Sequence, residues 1–79
     1  MVIAYILITS KSGAEKNVAE ALMLQDGIEE ADVLYGEYDI IAKVKVEDVS
    51  QLSDFIMEKV RSIDGVQRTS TLIVASPGD

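Results

Sequence analysis

The chain contains no cysteine and no histidine. The first absence excludes disulfides, and the two together remove the usual ligands of a structural zinc. They also remove the commonest general base and the thiol nucleophile. No Walker loop and no G-x-G-x-x-G stretch is present to cradle a phosphate or a dinucleotide. Ser and Thr occur, but no residue able to activate them stands out. Basic residues are scarce: 7 Lys and Arg against 14 Asp and Glu, for a net charge of −7. A duplex-binding surface needs clustered cations to neutralise phosphates, so direct nucleic-acid binding is not expected. The apolar opening Val2-Ile3-Ala4-Tyr5-Ile6-Leu7-Ile8 is far too short to span a bilayer. It lacks a basic flank and a small-residue cleavage site, so it reads as a strand and the protein as cytoplasmic, with no membrane partner.

What is present is a large apolar fraction, 48% in 79 residues. Such a length makes one domain, residues 1–79, that buries only roughly 60% of the surface its unfolded chain exposes. Small domains without disulfides or metals commonly gain support from a second subunit, so self-association is expected.

The chain alternates strand and helix signals. Val2–Thr9 is apolar and β-branched and reads as a strand buried on both faces. Ser12-Gly13-Ala14-Glu15 has the S-x-x-E form of a capping box. The following helix sets Ala14, Val18, Ala21, Leu22 and Gln25 on one side, and Gly27 ends it. Ile28–Tyr35 is a second strand, whose Glu29, Glu30 and Asp32 discourage edge-to-edge pairing. Gly36-Glu37 predicts a tight turn into a third strand over Tyr38–Val46. That strand alternates Ile40, Ala42, Val44 and Val46 with Asp39, Ile41, Lys43 and Lys45. Asp48-Val49-Ser50-Gln51 is a second capping box, opening a helix with Leu52, Phe55, Ile56, Val60 and Ile63 along one stripe. Asp64-Gly65 closes it, Val66–Ala75 is the last strand, and Ser76–Asp79 is a tail expected to fray.

The halves align at an offset of 38 residues, with Gly27 on Gly65, Val18 on Ile56, and Val2, Ala4, Ile6 and Ile8 on Ile40, Ala42, Val44 and Val46. Two βαβ units joined by a hairpin predict an α+β, ferredoxin-like βαββαβ fold: a four-stranded antiparallel sheet, first and third strands central, with both helices on one face. The helices then take the Val2, Ala4, Ile6, Ile8 face. Ile3, Tyr5 and Leu7, with Ile41 on the neighbouring strand, are left on the other face with no element to cover them. An uncovered apolar patch of this kind predicts a dimer interface. Lys43 and Lys45 share that face, where their stems can pack at the rim while the ammonium groups stay wet.

Two short stretches carry chemistry. In Leu34-Tyr35-Gly36-Glu37-Tyr38-Asp39, Gly36 frees the backbone for a turn whose amides can bind a carboxylate. Asp39 can accept from an ammonium group, and Tyr35 and Tyr38 offer flat walls with polar tips. Those are the parts an amino-acid ligand requires, and equally the parts of an ordinary hairpin with edge aromatics. Thr69-Ser70-Thr71 supplies hydroxyls that either bind a ligand or pair across strands. The carboxylate run Asp26, Glu29, Glu30, Asp32 reads as a solvated face.

Taken together, Gly36-Glu37-Tyr38-Asp39-Ile40-Ile41-Ala42-Lys43-Val44, Leu52-Ser53-Asp54-Phe55-Ile56 and Ile63-Asp64-Gly65-Val66-Gln67-Arg68-Thr69-Ser70-Thr71-Leu72-Ile73-Val74 resemble the C-terminal domain of the Lrp/AsnC regulators. These are the feast/famine transcription factors, and the domain is called RAM, for regulation of amino acid metabolism. The resemblance implies a dimeric α+β-barrel type of pairing through the sheets, and assembly of dimers into octameric or related rings. It places amino-acid effectors in clefts between dimers. Tyr35, Gly36, Tyr38 and Asp39 would lie at that cleft, with Thr69, Ser70 and Thr71 as further ligand-facing positions. Full-length members carry an N-terminal helix-turn-helix. Here Met1 leads directly into the first strand, so the expectation is a stand-alone member acting through full-length paralogues or metabolic enzymes. No cofactor, no metal and no catalysis are expected. The alternatives are a small dimeric α+β-barrel enzyme, which needs a roomy polar cavity between helices and sheet, and a purely structural oligomerisation domain.

Overall fold

A computed structural model of the chain describes residues 1–76. Four strands, β1 (Val2–Ser10), β2 (Ile28–Val33), β3 (Ile40–Val46) and β4 (Val66–Ile73), form one antiparallel sheet in the order β2-β3-β1-β4. Helix α1 (Glu15–Met23) links β1 to β2, and α2 (Val49–Phe55), extended by a π-helical turn at Ile56–Val60, links β3 to β4. This is the βαββαβ, ferredoxin-like arrangement, with the first and third strands central as the repeat predicts.

The core follows from strand alternation. Ala4, Ile6 and Ile8 of β1 and Ile40, Ala42 and Val44 of β3 are fully buried. They meet Val18, Ala19 and Leu22 of α1, and Leu52 and Val60 of the second helical segment. The register sets Ile6 opposite Ala42 and Ile8 opposite Ile40, so residues of like face stack as the period of two demands. The layer between sheet and helices is thus filled by apolar side chains. The opposite face of β1 is only half-buried, so the strand is not buried on both faces within one chain.

The caps differ between the helices. Asp48 caps α2 as expected: its Oδ1 accepts from the Gln51 amide at 2.8 Å, and Gln51 Oε1 accepts from the Glu47 amide at 3.1 Å. Ser12 does not cap α1. Ala14 occupies the cap position without a side-chain bond, and Glu15 Oε1 accepts from the Gly13 amide at 3.2 Å. Gly13, at φ +87, turns the chain two residues before the helix, which moves Ser12 out of reach of the first turn. Helix α1 also stops at Met23, before the expected end. Gly27 is therefore not its C′ residue but the last residue of a turn, and its carbonyl accepts from the Lys45 amide at 2.9 Å.

The second helical segment is irregular for a packing reason. Leu52 and Val60 are both buried. Eight residues of α-helix overshoot two turns by about 80°. A wider turn, closed by the Arg61 amide on the Ile56 carbonyl at 2.9 Å, removes that overshoot and returns Val60 to the core. Gly65, at φ +100, then enters β4 beneath α1. A Cβ there would lie 2.9 Å from the Ala14 Cβ and 3.2 Å from the Val18 Cγ2. The tail expectation for Pro77, Gly78 and Asp79 lies outside the described residues. No helix among the described residues is long and apolar enough to cross a membrane.

Candidate functional site

Both halves of the topology converge on one end of the sheet. β1 ends there, α1 starts there, and the β2–β3 connection folds over it. The connection is not the tight turn expected at Gly36-Glu37. β2 stops at Val33 and β3 starts at Ile40, which leaves Tyr35 and Tyr38 outside the strands. The loop 34–39 is closed by the Leu34 amide donating to the Asp39 carbonyl at 2.7 Å.

Asp39 explains why the ladder stops. Its amide donates to the Ile8 carbonyl at 2.9 Å, and its Oδ2 accepts from the Ser10 amide at 2.8 Å. One more rung of the Ile8–Ile40 register would set Ser10 opposite Tyr38. The chain has left the sheet at that point, and the Asp39 carboxylate takes the amide that a backbone carbonyl would have taken. One carboxylate oxygen is thus structural. The side chain is half-buried and its orientation is held.

A groove of about 450 Å³ lies beside this loop, lined by Glu15, Val33, Leu34, Tyr35, Gly36 and Asp39. Tyr35 is fully exposed. Gly36 has φ +140, with no atom within 4 Å of where a Cβ would stand. The structure therefore brings Tyr35, Gly36 and Asp39 together. It adds Glu15, Val33 and Leu34, which the sequence had not suggested as ligand neighbours. Glu15 was legible only as a capping residue; the signal for its place was the topology, which returns the start of α1 to the hairpin end. Tyr38 is half-buried and does not line the groove.

Thr69, Ser70 and Thr71 lie elsewhere. They are on β4, separated from β3 by β1, so Thr69 stands two strand spacings, about 10 Å, from the Ile40 backbone. Their side chains also divide between faces: Thr69 and Thr71 pair with Ile8 and Ile6 on the helix side, Ser70 with Leu7 on the other. The three hydroxyls do not form one cluster within a single chain.

The face away from the helices carries Ile3, Tyr5, Leu7 and Ile41, all half-buried, with Leu7 opposite both Ile41 and Ser70, and Tyr5 opposite Lys43 and the exposed Leu72. Lys43 Nζ and Lys45 Nζ lie 3.9 and 4.0 Å from the two carboxylate oxygens of Glu29, weak and solvated ion pairs. A larger cavity, about 720 Å³, sits at the other end of the sheet, around Met1, Gly27, Lys45 and Phe55. No sequence motif pointed to it. Among the described residues, no group of His, Cys, Asp or Glu is arranged to hold a metal.

Comparison with known proteins agrees with this fold. The profile of the Lrp/AsnC ligand binding domain matches residues 3–77. The HTH-type transcriptional regulator FL11 of Pyrococcus furiosus is 36% identical over 73 residues, which cover 92% of this chain and 48% of that protein. The chain spans about half the length of the curated relatives it matches. Among solved structures, the hypothetical protein PHS023 of Pyrococcus horikoshii is 41% identical with a TM-score of 0.90, covering 99% of this chain and 94% of that one. AsnC of E. coli is 30% identical with a TM-score of 0.92, covering 99% of this chain and 53% of that one. The transcriptional regulator NMB0573 of Neisseria meningitidis, solved as a complex with L-Met, shares the fold at 20% identity and a TM-score of 0.89, covering 99% of this chain and 52% of that one.

Proposed function

The chain belongs to the Lrp/AsnC ligand binding domain family, and on that premise we propose that it is an amino-acid-binding, oligomerising regulatory module that acts through protein partners. The supporting observation is the Asp39 carboxylate, held by the Ser10 amide beside a groove that the Gly36 backbone leaves open. An oriented carboxylate suits an α-ammonium group, and open backbone amides suit an α-carboxylate. The L-Met complex of the Neisseria relative is consistent with an amino acid as the ligand class.

Ile3, Tyr5, Leu7 and Ile41 form the surface through which two copies pair. Dimers then assemble further, into an octamer or a related ring. The groove at the 34–39 loop lies at the end of the sheet rather than under the helices, a place where a neighbouring dimer can complete it. Thr69, Ser70 and Thr71 reach a ligand only through such an assembly, since one chain keeps them apart from the groove. Regulation follows by linkage: a ligand that binds one assembly more tightly shifts the population toward it, by no more than its differential affinity. The cytoplasm, with full-length paralogues or metabolic enzymes as partners, is the setting this mechanism requires.

Calorimetric titration with the twenty amino acids, with light scattering to follow assembly size, tests the proposal. At least one amino acid should bind and change the assembly. Absence of both responses leaves a purely structural oligomerisation domain as the reading.

A further inference from the structure

We propose that the Asp26-Gly27 turn is a site of spontaneous isoaspartate formation, a covalent modification that reroutes the main chain through the Asp26 side chain, and that burial protects the equivalent Asp64-Gly65 pair. The site is independent of the effector reading, since it uses neither the groove at the 34–39 loop nor the open sheet face.

The two pairs are chemical twins, the same dipeptide at positions that the 38-residue repeat makes equivalent. Both aspartates are exposed. The glycines have nearly the same φ, +99 and +100, and neither amide donates to a backbone carbonyl among the described residues. Their surroundings differ. Gly27 is exposed, and a Cβ there would meet nothing closer than 3.6 Å. Gly65 is buried beneath α1, where a Cβ would stand 2.9 Å from the Ala14 Cβ and 3.2 Å from the Val18 Cγ2.

The reaction needs no enzyme. The Gly27 nitrogen attacks Asp26 Cγ. The N–Cγ bond forms, and the carboxyl hydroxyl and the amide proton leave as water. Water then opens the five-membered imide at the Asp26 backbone carbonyl carbon, where the old C–N bond breaks and an α-carboxylate is freed. One water leaves and one returns, with no change of oxidation state. Ring closure requires the peptide between the two residues to rotate. At Gly27 that motion displaces exposed atoms. At Gly65 it drives the backbone against Ala14 and Val18, and a close-packed interior yields little. The product lengthens the main chain by one methylene at the entry to β2, beside the register shift between Ile28 and Glu30 where the ladder is already irregular. It also moves a carboxylate in the lining of the cavity of about 720 Å³, to which Asp26 and Gly27 both belong.

The full chain is held at neutral pH for weeks, folded in buffer and, in parallel, unfolded in guanidinium chloride. Peptide mapping then reads isoaspartate as a mass-neutral product that resists an aspartate-directed protease and accepts a methyl group from an isoaspartyl methyltransferase. In the folded chain Asp26 should yield at least about 10-fold more isoaspartate than Asp64, the rate effect of a modest overpacking barrier. In the unfolded chain the two sites should react alike, because the dipeptides are the same. Asp26→Glu, whose longer side chain would have to close a six-membered ring, should remove the product at that position and leave the yield at Asp64 unchanged. Equal yields in the folded chain, a higher yield at Asp64, or no product at either site overturns the proposal. A preference for Asp26 that persists in the unfolded chain overturns it as well, because the flanking sequence and not the fold would then set the rate.

Discussion

Asp39 has two tasks that substitution can separate. Its Oδ2 holds the Ser10 amide, and its charge faces the groove. Asp39→Asn keeps an acceptor for the amide, so it should change stability little while weakening any cationic ligand. Asp39→Ala leaves that amide without a partner and should cost about 1–3 kcal/mol in urea unfolding. Equal stability of the two variants would show that the Ser10 bond contributes nothing. Gly36 and Gly65 separate conformational strain from crowding in the same way. Both have positive φ, but only at Gly65 does an added Cβ meet neighbours, the Ala14 Cβ at 2.9 Å and the Val18 Cγ2 at 3.2 Å. Gly65→Ala should therefore destabilise by about 1–3 kcal/mol more than Gly36→Ala, the size of an overpacking penalty, with chemical denaturation as the measure. The need for glycine at these positions was legible in the sequence. The reason at Gly65 was not, because the crowding atoms belong to a helix some fifty residues earlier.

At the scale of elements, the two capping motifs looked alike and behave differently. Asp48 accepts from the Gln51 amide, whereas Ser12 is exposed and makes no cap. Asp48→Ala should lower stability by about 1 kcal/mol. Ser12→Ala should stay within about 0.5 kcal/mol of the parent chain. A thermal scan of the two variants checks the contrast, and a larger loss at Ser12 would mean that the serine takes the cap in solution. The strand alternations of Ile40, Ala42 and Val44 and of Ala4, Ile6 and Ile8 were legible, because one buried face imposes a period of two. The π turn at Ile56–Val60 was not. The spacing of Leu52, Ile56 and Val60 satisfies a helical stripe closely enough, and only the fit of Val60 against the sheet calls for the wider turn. The six-residue loop at 34–39 was equally hidden. Gly36 announces a turn, but the Asp39 side chain, by capturing the Ser10 amide, decides where the strands end.

For the whole molecule the open sheet face decides behaviour. If Ile3, Tyr5, Leu7 and Ile41 meet a second copy, Tyr5→Glu buries a carboxylate at that contact, where an unpaired charge is expensive. Size-exclusion chromatography with light scattering should then show monomer or unfolded chain at concentrations where the parent is assembled. A stable native dimer would place the interface elsewhere.

The order of elements, the ferredoxin-like topology, the helix-facing core and the apolar residues left on the far face were determined by the sequence alone. They depend on local periodicity and turn residues, which act within a few residues along the chain, and on an internal repeat that shows in the linear pattern itself. The tertiary structure decided the groove. It brought Glu15 from the start of α1 to the loop that holds Tyr35, Gly36 and Asp39. It set Tyr38 outside the groove's lining. Those outcomes depend on which strand ends share an edge and on which side chain satisfies a stranded backbone amide. Such contacts join residues far apart in the chain, and no local pattern encodes them.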